Sequence, residues 1–214
     1  MQGFKNADGQ IIVEAMIAAI QKNKAYLGEV DGLIGDGDHG MNMNKGFTMC
    51  GEELNGKHES FAESLETLGS TLFNDIGGSM GPIYGTIFMD MAEAGEKEET
   101  ITLPVFSKML RAALEGLQGI VEAQVGDKTL VDTLSPACDA LKKAEVDGED
   151  FSQALDNMKK AAEEGRDSTK DMVAKFGRSA RLGERSRGVL DAGATSCCII
   201  LEAMADQMQK MLAA

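Results

Sequence analysis

The sequence predicts an all-α protein, one domain of about eight helices packed antiparallel in a bundle or barrel. Three observations carry that expectation. Alanine, leucine, methionine and glutamate dominate a chain with only 3 Pro, 2 Tyr and no Trp, a composition that favours helix over sheet. Apolar residues recur one helical turn apart, and no segment shows sustained period-2 alternation. The joins between periodic segments are short, which makes successive helices antiparallel neighbours. The 214 residues are enough for one large domain with a real core, and no repeat, linker or low-complexity stretch divides them.

The first helix starts after Asp8, a candidate N-cap, and runs to about Leu27 with Ile12, Met16 and Ile20 one turn apart. A second spans about Gly40 to Leu54 and stops at Asn55-Gly56. Ser60 followed by Glu63 is a capping box that opens a third helix through Leu65, Leu68, Leu72 and Ile76, broken by Gly77 and Gly78. A fourth carries Ile83, Ile87 and Met91 and fades at Gly95. Thr102 before Leu103-Pro104 is an N-cap with Pro near the first helical position, starting a fifth helix to about Ala123. Leu130 to Ala144 is the sixth, with Pro136 as an expected kink. Asp147 to Phe176 reads as a long, charged seventh, and Ala194 to Leu212 as the eighth.

The formal net charge is −14, so nucleic-acid binding is not expected: it needs a basic patch that displaces counterions. An anionic membrane surface is disfavoured for the same reason, and no apolar run reaches the ~18 residues of a transmembrane helix. The first residues lack the basic and apolar regions of a secretory signal, so a cytoplasmic protein is expected. Cys50, Cys138, Cys197 and Cys198 form no C-x-x-C pair, and no short loop asks for a staple; neither a disulfide nor a zinc site is expected.

Four polar, glycine-rich islands sit at helix junctions. The densest holds Asp31, Asp36, Asp38 and His39 within nine residues. Glycines let such a segment turn tightly, and converging carboxylates repel one another unless a cation neutralises them. An oxygen-only set suits a hard ion such as Mg²⁺; a solvated acidic turn with Asp38 capping the next helix satisfies the same spacing. Gly35-x-Gly37-x-x-Gly40 matches the dinucleotide fingerprint in letters only, because a helix rather than a strand precedes it. A calcium loop beginning at Asp36 fails at Gly40 and at Phe47, and no P-loop occurs. Gly77-Gly78-Ser79-Met80-Gly81-Pro82 offers free backbone N–H groups at a helix start, the local chemistry of phosphate binding, or is a plain tight turn. Gly126-Asp127-Lys128-Thr129 reads as a third such junction or a capped turn. The fourth runs from Gly177 to Gly193 and puts Arg178, Arg181, Arg185 and Arg187 on an otherwise acidic chain, suited to an anionic ligand or an acidic partner. All four islands fall where one end of an up-down bundle would gather them.

With these motifs in order, the chain resembles the L subunit, the nucleotide-binding subunit, of dihydroxyacetone kinase. The resemblance spans essentially the whole of residues 1–214 and rests on Gly35-Asp36-Gly37-Asp38-His39-Gly40 with Asn42-Met43-Asn44, on Gly77-Gly78-Ser79 with Gly81-Pro82, on Gly126-Asp127-Lys128-Thr129, on Leu182-Gly183-Glu184-Arg185-Ser186 and on Asp191-Ala192-Gly193-Ala194-Thr195. It implies an eight-helix up-down barrel with ADP or ATP at one end. Asp31, Asp36 and Asp38 correspond to carboxylates that hold two Mg²⁺ ions. His39, which also takes the catalytic role, falls with Gly40, Met41, Asn42, Ser79 and Met80 at the phosphates. Thr129 and Leu130 correspond to the adenine and ribose pocket, and Arg178 and the turn Asp191, Ala192, Gly193 close over the nucleotide.

The same resemblance implies phosphoryl transfer to dihydroxyacetone held by a separate K subunit, and a phospho-histidine carrier protein that recharges the bound ADP. A second copy of the chain is a further candidate partner. Two other readings share the site: an ATP-dependent L-type kinase subunit for another ketose or an acyl acceptor, and a Mg·nucleotide-binding regulatory subunit. The chain departs from the family pattern in four places. Met80 replaces a hydroxyl residue, and Ile120-Val121 stand in place of an Arg-Gly pair. Ala192 replaces the proline of an Asp-Pro-Gly turn, and Arg181 and Arg187 stand where neutral residues are common.

Overall fold

A ring of eight α-helices closes on itself in the computed structural model, which describes residues 2–214. The helices are α1 (Gln10–Gly32), α2 (His39–Leu54), α3 (Phe61–Asp75), α4 (Met80–Gly95), α5 (Leu103–Ile120), α6 (Val131–Asp147), α7 (Phe151–Ser168) and α8 (Ala192–Leu212). Each packs against the next in sequence, and α8 packs against α1, which completes an up-down barrel. Every helix contributes to one continuous core, with Phe47, Phe61, Phe88 and Phe106 among its largest fully buried side chains. Phe47 from α2 and Phe88 from α4 meet edge to face across it, centroids 6.1 Å apart.

Alternation of direction sorts the joins into two ends. The joins entering α2, α4, α6 and α8 fall at one end and those entering α3, α5 and α7 at the other. The second end is sealed by a feature that the sequence pattern does not reveal. A three-residue strand, β1 (Gly3–Lys5), pairs antiparallel with β2 (Thr100–Thr102), Phe4 facing Ile101. Beside it the buried Asn6 amide donates to the Gly95 and Glu98 carbonyls and accepts from the Ala62 N–H, tying three junctions together.

Helix boundaries follow local chemistry, with corrections to the sequence-based expectation. The Ser60–Glu63 capping box is present with both of its hydrogen bonds. Asp8 does not cap α1: it lies in a short 3-10 turn, and Gly9 occupies the cap. Instead α1 runs to Gly32, which carries Asp31 into its last turn. α5 ends at Ile120. α6 continues through Pro136 to Asp147, where Gly148 takes the left-handed cap conformation at φ +68°. The expected long seventh helix is shorter at both ends. Asp150 caps it, and the chain leaves it at Ser168 for the longest join of the barrel, 169–191.

Candidate functional site

The acidic junction is shaped by tight backbone packing. The Gly35 N–H donates to the Asp31 carbonyl at 2.6 Å, and a Cβ on Gly35 would lie 2.2 Å from the Asp31 carboxylate. Gly37 turns the chain at φ +77°, and Gly40 seats the start of α2 so closely on α1 that a Cβ there would be 2.1 Å from the Lys24 carbonyl. These turns bring one carboxylate oxygen each from Asp31, Asp36 and Asp38 within 4.8 Å of one another. Burial and the charges of Asp36 and Asp31 push the Asp38 carboxyl up, with Arg178 opposing. Three oxygen donors that repel one another, with a guanidinium already drawn to Asp36, form a set that fits a hard divalent cation. Asp38 stands at the N-cap position of α2 but makes no side-chain cap, so the simple capped-turn reading does not account for it.

His39 begins α2. Its N–H donates to the Asp31 carboxylate at 3.3 Å, and its ring Nε2 lies 2.9 Å from the Ser196 hydroxyl on α8. Ser196 in turn is 2.6 Å from the Tyr84 hydroxyl on α4. Burial pulls the His39 imidazole below its usual pKa against the opposing charge of Asp31. Ser196 and Tyr84 escaped the sequence analysis. The available signal was the second of only two tyrosines, whose hydroxyl needs a partner when buried.

The remaining expected residues distribute as follows. Met41 is exposed and Asn42 half-buried in the first turn of α2. Ser79 is exposed at the N-cap position of α4 with no side-chain cap bond, and Met80 is half-buried against the core. Neither of these two makes a side-chain hydrogen bond to another island; α4 joins the site through Tyr84. Thr129 and Leu130 precede α6. Leu130 packs beside Gly193, where an added Cβ would be 3.6 Å from the Leu130 Cβ. Asp191 caps α8 by accepting from the Ala194 N–H at 2.8 Å, and burial pushes its carboxyl up to about 6. Ala192 and Gly193 form the first turn above it. Arg178, on the 169–191 join, pairs with Asp36 across the mouth. A cleft of about 610 Å³ opens beside the start of α6, with Val121, Val125 and Val131 among its walls.

Hydrogen bonds and ion pairs thus link the islands at one end of the barrel: α2 to α8 through His39, α4 to α8 through Tyr84, α6 to α8 through Thr133 and the Ala194 carbonyl, and the last join to the first through Arg178. The four thiols take no part; all are free and buried. Among the described residues no helix is long and apolar enough to cross a membrane.

Residues 33–206 match the family described as the DAK2 domain. The chain is 35% identical over 186 residues to the PEP-dependent dihydroxyacetone kinase 1, ADP-binding subunit DhaL, of Listeria innocua, covering 86% of this chain and 88% of that one. It is 35% identical to the PEP-dependent dihydroxyacetone kinase, ADP-binding subunit DhaL, of Escherichia coli, covering 84% and 86%. Its fold resembles the crystal structure of the dihydroxyacetone kinase of C. freundii in native form, with TM-score 0.72, 22% identity, and coverage of 97% of this chain and 35% of that one. A complex of that kinase with AMP-PNP and Mg²⁺ superposes with TM-score 0.69.

Proposed function

Since the chain belongs to the DAK2 domain family, we propose that it is the nucleotide-binding subunit of a dihydroxyacetone kinase, passing a phosphoryl group from bound nucleotide to dihydroxyacetone held on a separate K subunit. Bound ADP is then recharged by a phospho-histidine carrier protein; the PEP-dependent naming of two 35%-identical relatives supports this branch. The observation that carries the proposal is the convergence of the Asp31, Asp36 and Asp38 carboxylates with the starts of α2 and α8 and with Arg178 at one barrel end.

Phosphoryl transfer asks for positioning and charge stabilisation more than for side-chain chemistry. Asp31, Asp36 and Asp38 are the residues that would hold Mg²⁺, two ions in this reading, which when bound neutralise phosphate charge. The starts of α2 and α4 offer N–H groups of Gly40, Met41 and Met80 to phosphate oxygens, with His39, Asn42 and the uncapped Ser79 hydroxyl beside them. His39 is the group assigned to the transferring phosphoryl. In this reading the adenine lies against Thr129 and Leu130, just before α6. Gly193 lets the backbone of the Asp191–Ala192–Gly193 turn approach the nucleotide, and Arg178 supplies a cation at the mouth that pairs with Asp36 of the acidic trio.

Calorimetry of ADP binding with Mg²⁺ tests this. The wild-type protein binds, while Asp36→Ala and Asp38→Ala lose metal and nucleotide together, because each leaves the remaining carboxylates and phosphates uncompensated. Saturation at a hundredfold excess over Kd stabilises the wild-type fold by about 2.7 kcal/mol, a gain that both variants lack in thermal unfolding. A wild-type protein that binds no nucleotide, or a variant that binds like wild type, overturns the assignment.

A further inference from the structure

Lys128 stands outside the machinery described so far, yet it is one of the largest fully buried side chains, 1% exposed. Lysine is almost never buried without partners. Its backbone is also unusual: φ is +62°, the left-handed region, and Lys128 alone among the described non-glycine residues adopts a positive φ. A strained backbone around a buried ammonium is a costly arrangement, so what the side chain touches is informative.

The ammonium donates to two carbonyls, Thr169 and Val189, each at 2.5 Å. These lie at opposite ends of the 169–191 join, the long loop that carries Arg178. Burial pulls the Lys128 ammonium below the usual lysine pKa, and the Asp191 carboxylate opposes that shift. The neck closed by Lys128 is continued by bonds within the loop. The Asp191 N–H donates to the Thr169 hydroxyl at 3.0 Å, the Gly188 N–H to the Lys170 carbonyl at 2.7 Å, and the Ala174 N–H to the Ser186 hydroxyl at 2.9 Å. A second tie comes from the adjacent residue: Asp127 pairs with the Lys175 ammonium at 2.5 Å, and its carbonyl accepts from the Lys175 N–H at 3.2 Å. The turn 126–129 itself is held by Asp132, which accepts from the Gly126 and Thr129 N–H groups at 2.6 and 2.7 Å. The loop is therefore a closed unit with its neck pinned to the start of α6, and Arg178 projects from it onto Asp36.

We infer that Lys128 is a positioning residue: its buried ammonium clamps the neck of the 169–191 loop and so fixes Arg178 over the acidic trio. A neutral or shorter side chain cannot serve both carbonyls, and the loop would then hinge at Thr169 and Val189. The consequence for the ligand rests on the nucleotide reading above; the clamp itself does not.

The test has a part for each. In wild-type protein without ligand, nitrogen-edited NMR should show one slowly exchanging lysine ammonium, assigned to Lys128, among exposed lysines whose protons exchange away. In Lys128→Met, amide exchange should accelerate at Met172, Ala174, Lys175 and Gly188, whose N–H groups are bonded within the loop or to its neck, while α1–α4 keep wild-type protection. ADP affinity with Mg²⁺ should fall about tenfold in Lys128→Met and in Arg178→Ala, and the double variant should be no weaker than Arg178→Ala alone. Absence of a protected ammonium in the wild type overturns the clamp even if Lys128→Met does not fold. Additive losses in the double variant, or unaltered loop exchange in Lys128→Met, overturn the positioning role. Wild-type protein that fails to bind ADP refutes the nucleotide reading and leaves the exchange experiment to judge the clamp.

Discussion

His39 has one ring nitrogen committed inside the protein, and that commitment decides what the other can do. Nε2 faces Ser196, which faces Tyr84. The Gly193 carbonyl, in the first turn of α8, lies 3.3 Å from the Tyr84 hydroxyl and 3.1 Å from the Ser196 hydroxyl, and its second lone pair can accept from either beside the helix ladder. We assign the Ser196 proton to Nε2, with Tyr84 donating to Ser196; the proton of a neutral imidazole is then on Nδ1, available to a phosphate oxygen. The depressed pKa of the ring, caused by burial, keeps it neutral at pH 7. Ser196→Ala leaves Nε2 without its partner, a loss of about 1–3 kcal/mol for a buried polar atom. It should shift the His39 ring nitrogens in NMR and weaken binding of Mg·ADP, and Tyr84→Phe should do both more mildly. His58, the second of the 2 histidines, serves as the internal reference. Ring signals of His39 that stay put in Ser196→Ala would show that the hydroxyl does not set the tautomer.

At the scale of elements, the contact between α6 and α7 depends on two residues that break helix rules. Pro136 lies inside α6 and has no N–H for the Asp132 carbonyl four residues back. Gly165 of α7 sits against that same carbonyl, where an added Cβ would be 2.1 Å from the oxygen and 3.0 Å from the Pro136 ring. Gly165→Ala gains about 1 kcal/mol of helix propensity but drives a methyl into a backbone atom that cannot swing aside. The clash should win, giving a net loss of about 1–2 kcal/mol and a melting temperature lower by several degrees. A melting temperature raised by this substitution would refute the close approach. Such pairings are invisible in sequence, because they join residues on different helices. What was legible is local: the Ser60–Glu63 box, the Gly95 and Asn55 stops, the order of the helices, and the island that holds the acidic trio. The β1–β2 pair was missed because three residues are too few to display alternation. The α7 end was misjudged because charged residues continue past Ser168 into a loop whose order comes from tertiary bonds, Lys128 among them.

For the whole molecule, ring closure makes every helix the neighbour of two others, so exposing the interior means parting the barrel wall. Four thiols report on that event from three helices: Cys50 on α2, Cys138 on α6, and Cys197 and Cys198 on α8. All are buried, and burial pushes Cys50 and Cys138 up to about 12 and the α8 pair upward as well. Only a thiolate attacks an alkylating reagent, so the folded protein should be inert at pH 8, although an ordinary thiol would be partly ionised there. Labelling then proceeds through opening. If the barrel opens as one cooperative unit, all four positions should be modified at a common slow rate in mass-resolved alkylation. Mg·ADP should slow all four together, since a ligand bound at the junction of α2, α6 and α8 stabilises the closed ring over every open form. Rapid labelling of Cys197 and Cys198 alone would show instead that α8 detaches from α1 and α7 while the other helices stay packed, making the last helix a separate hinged element of the wall.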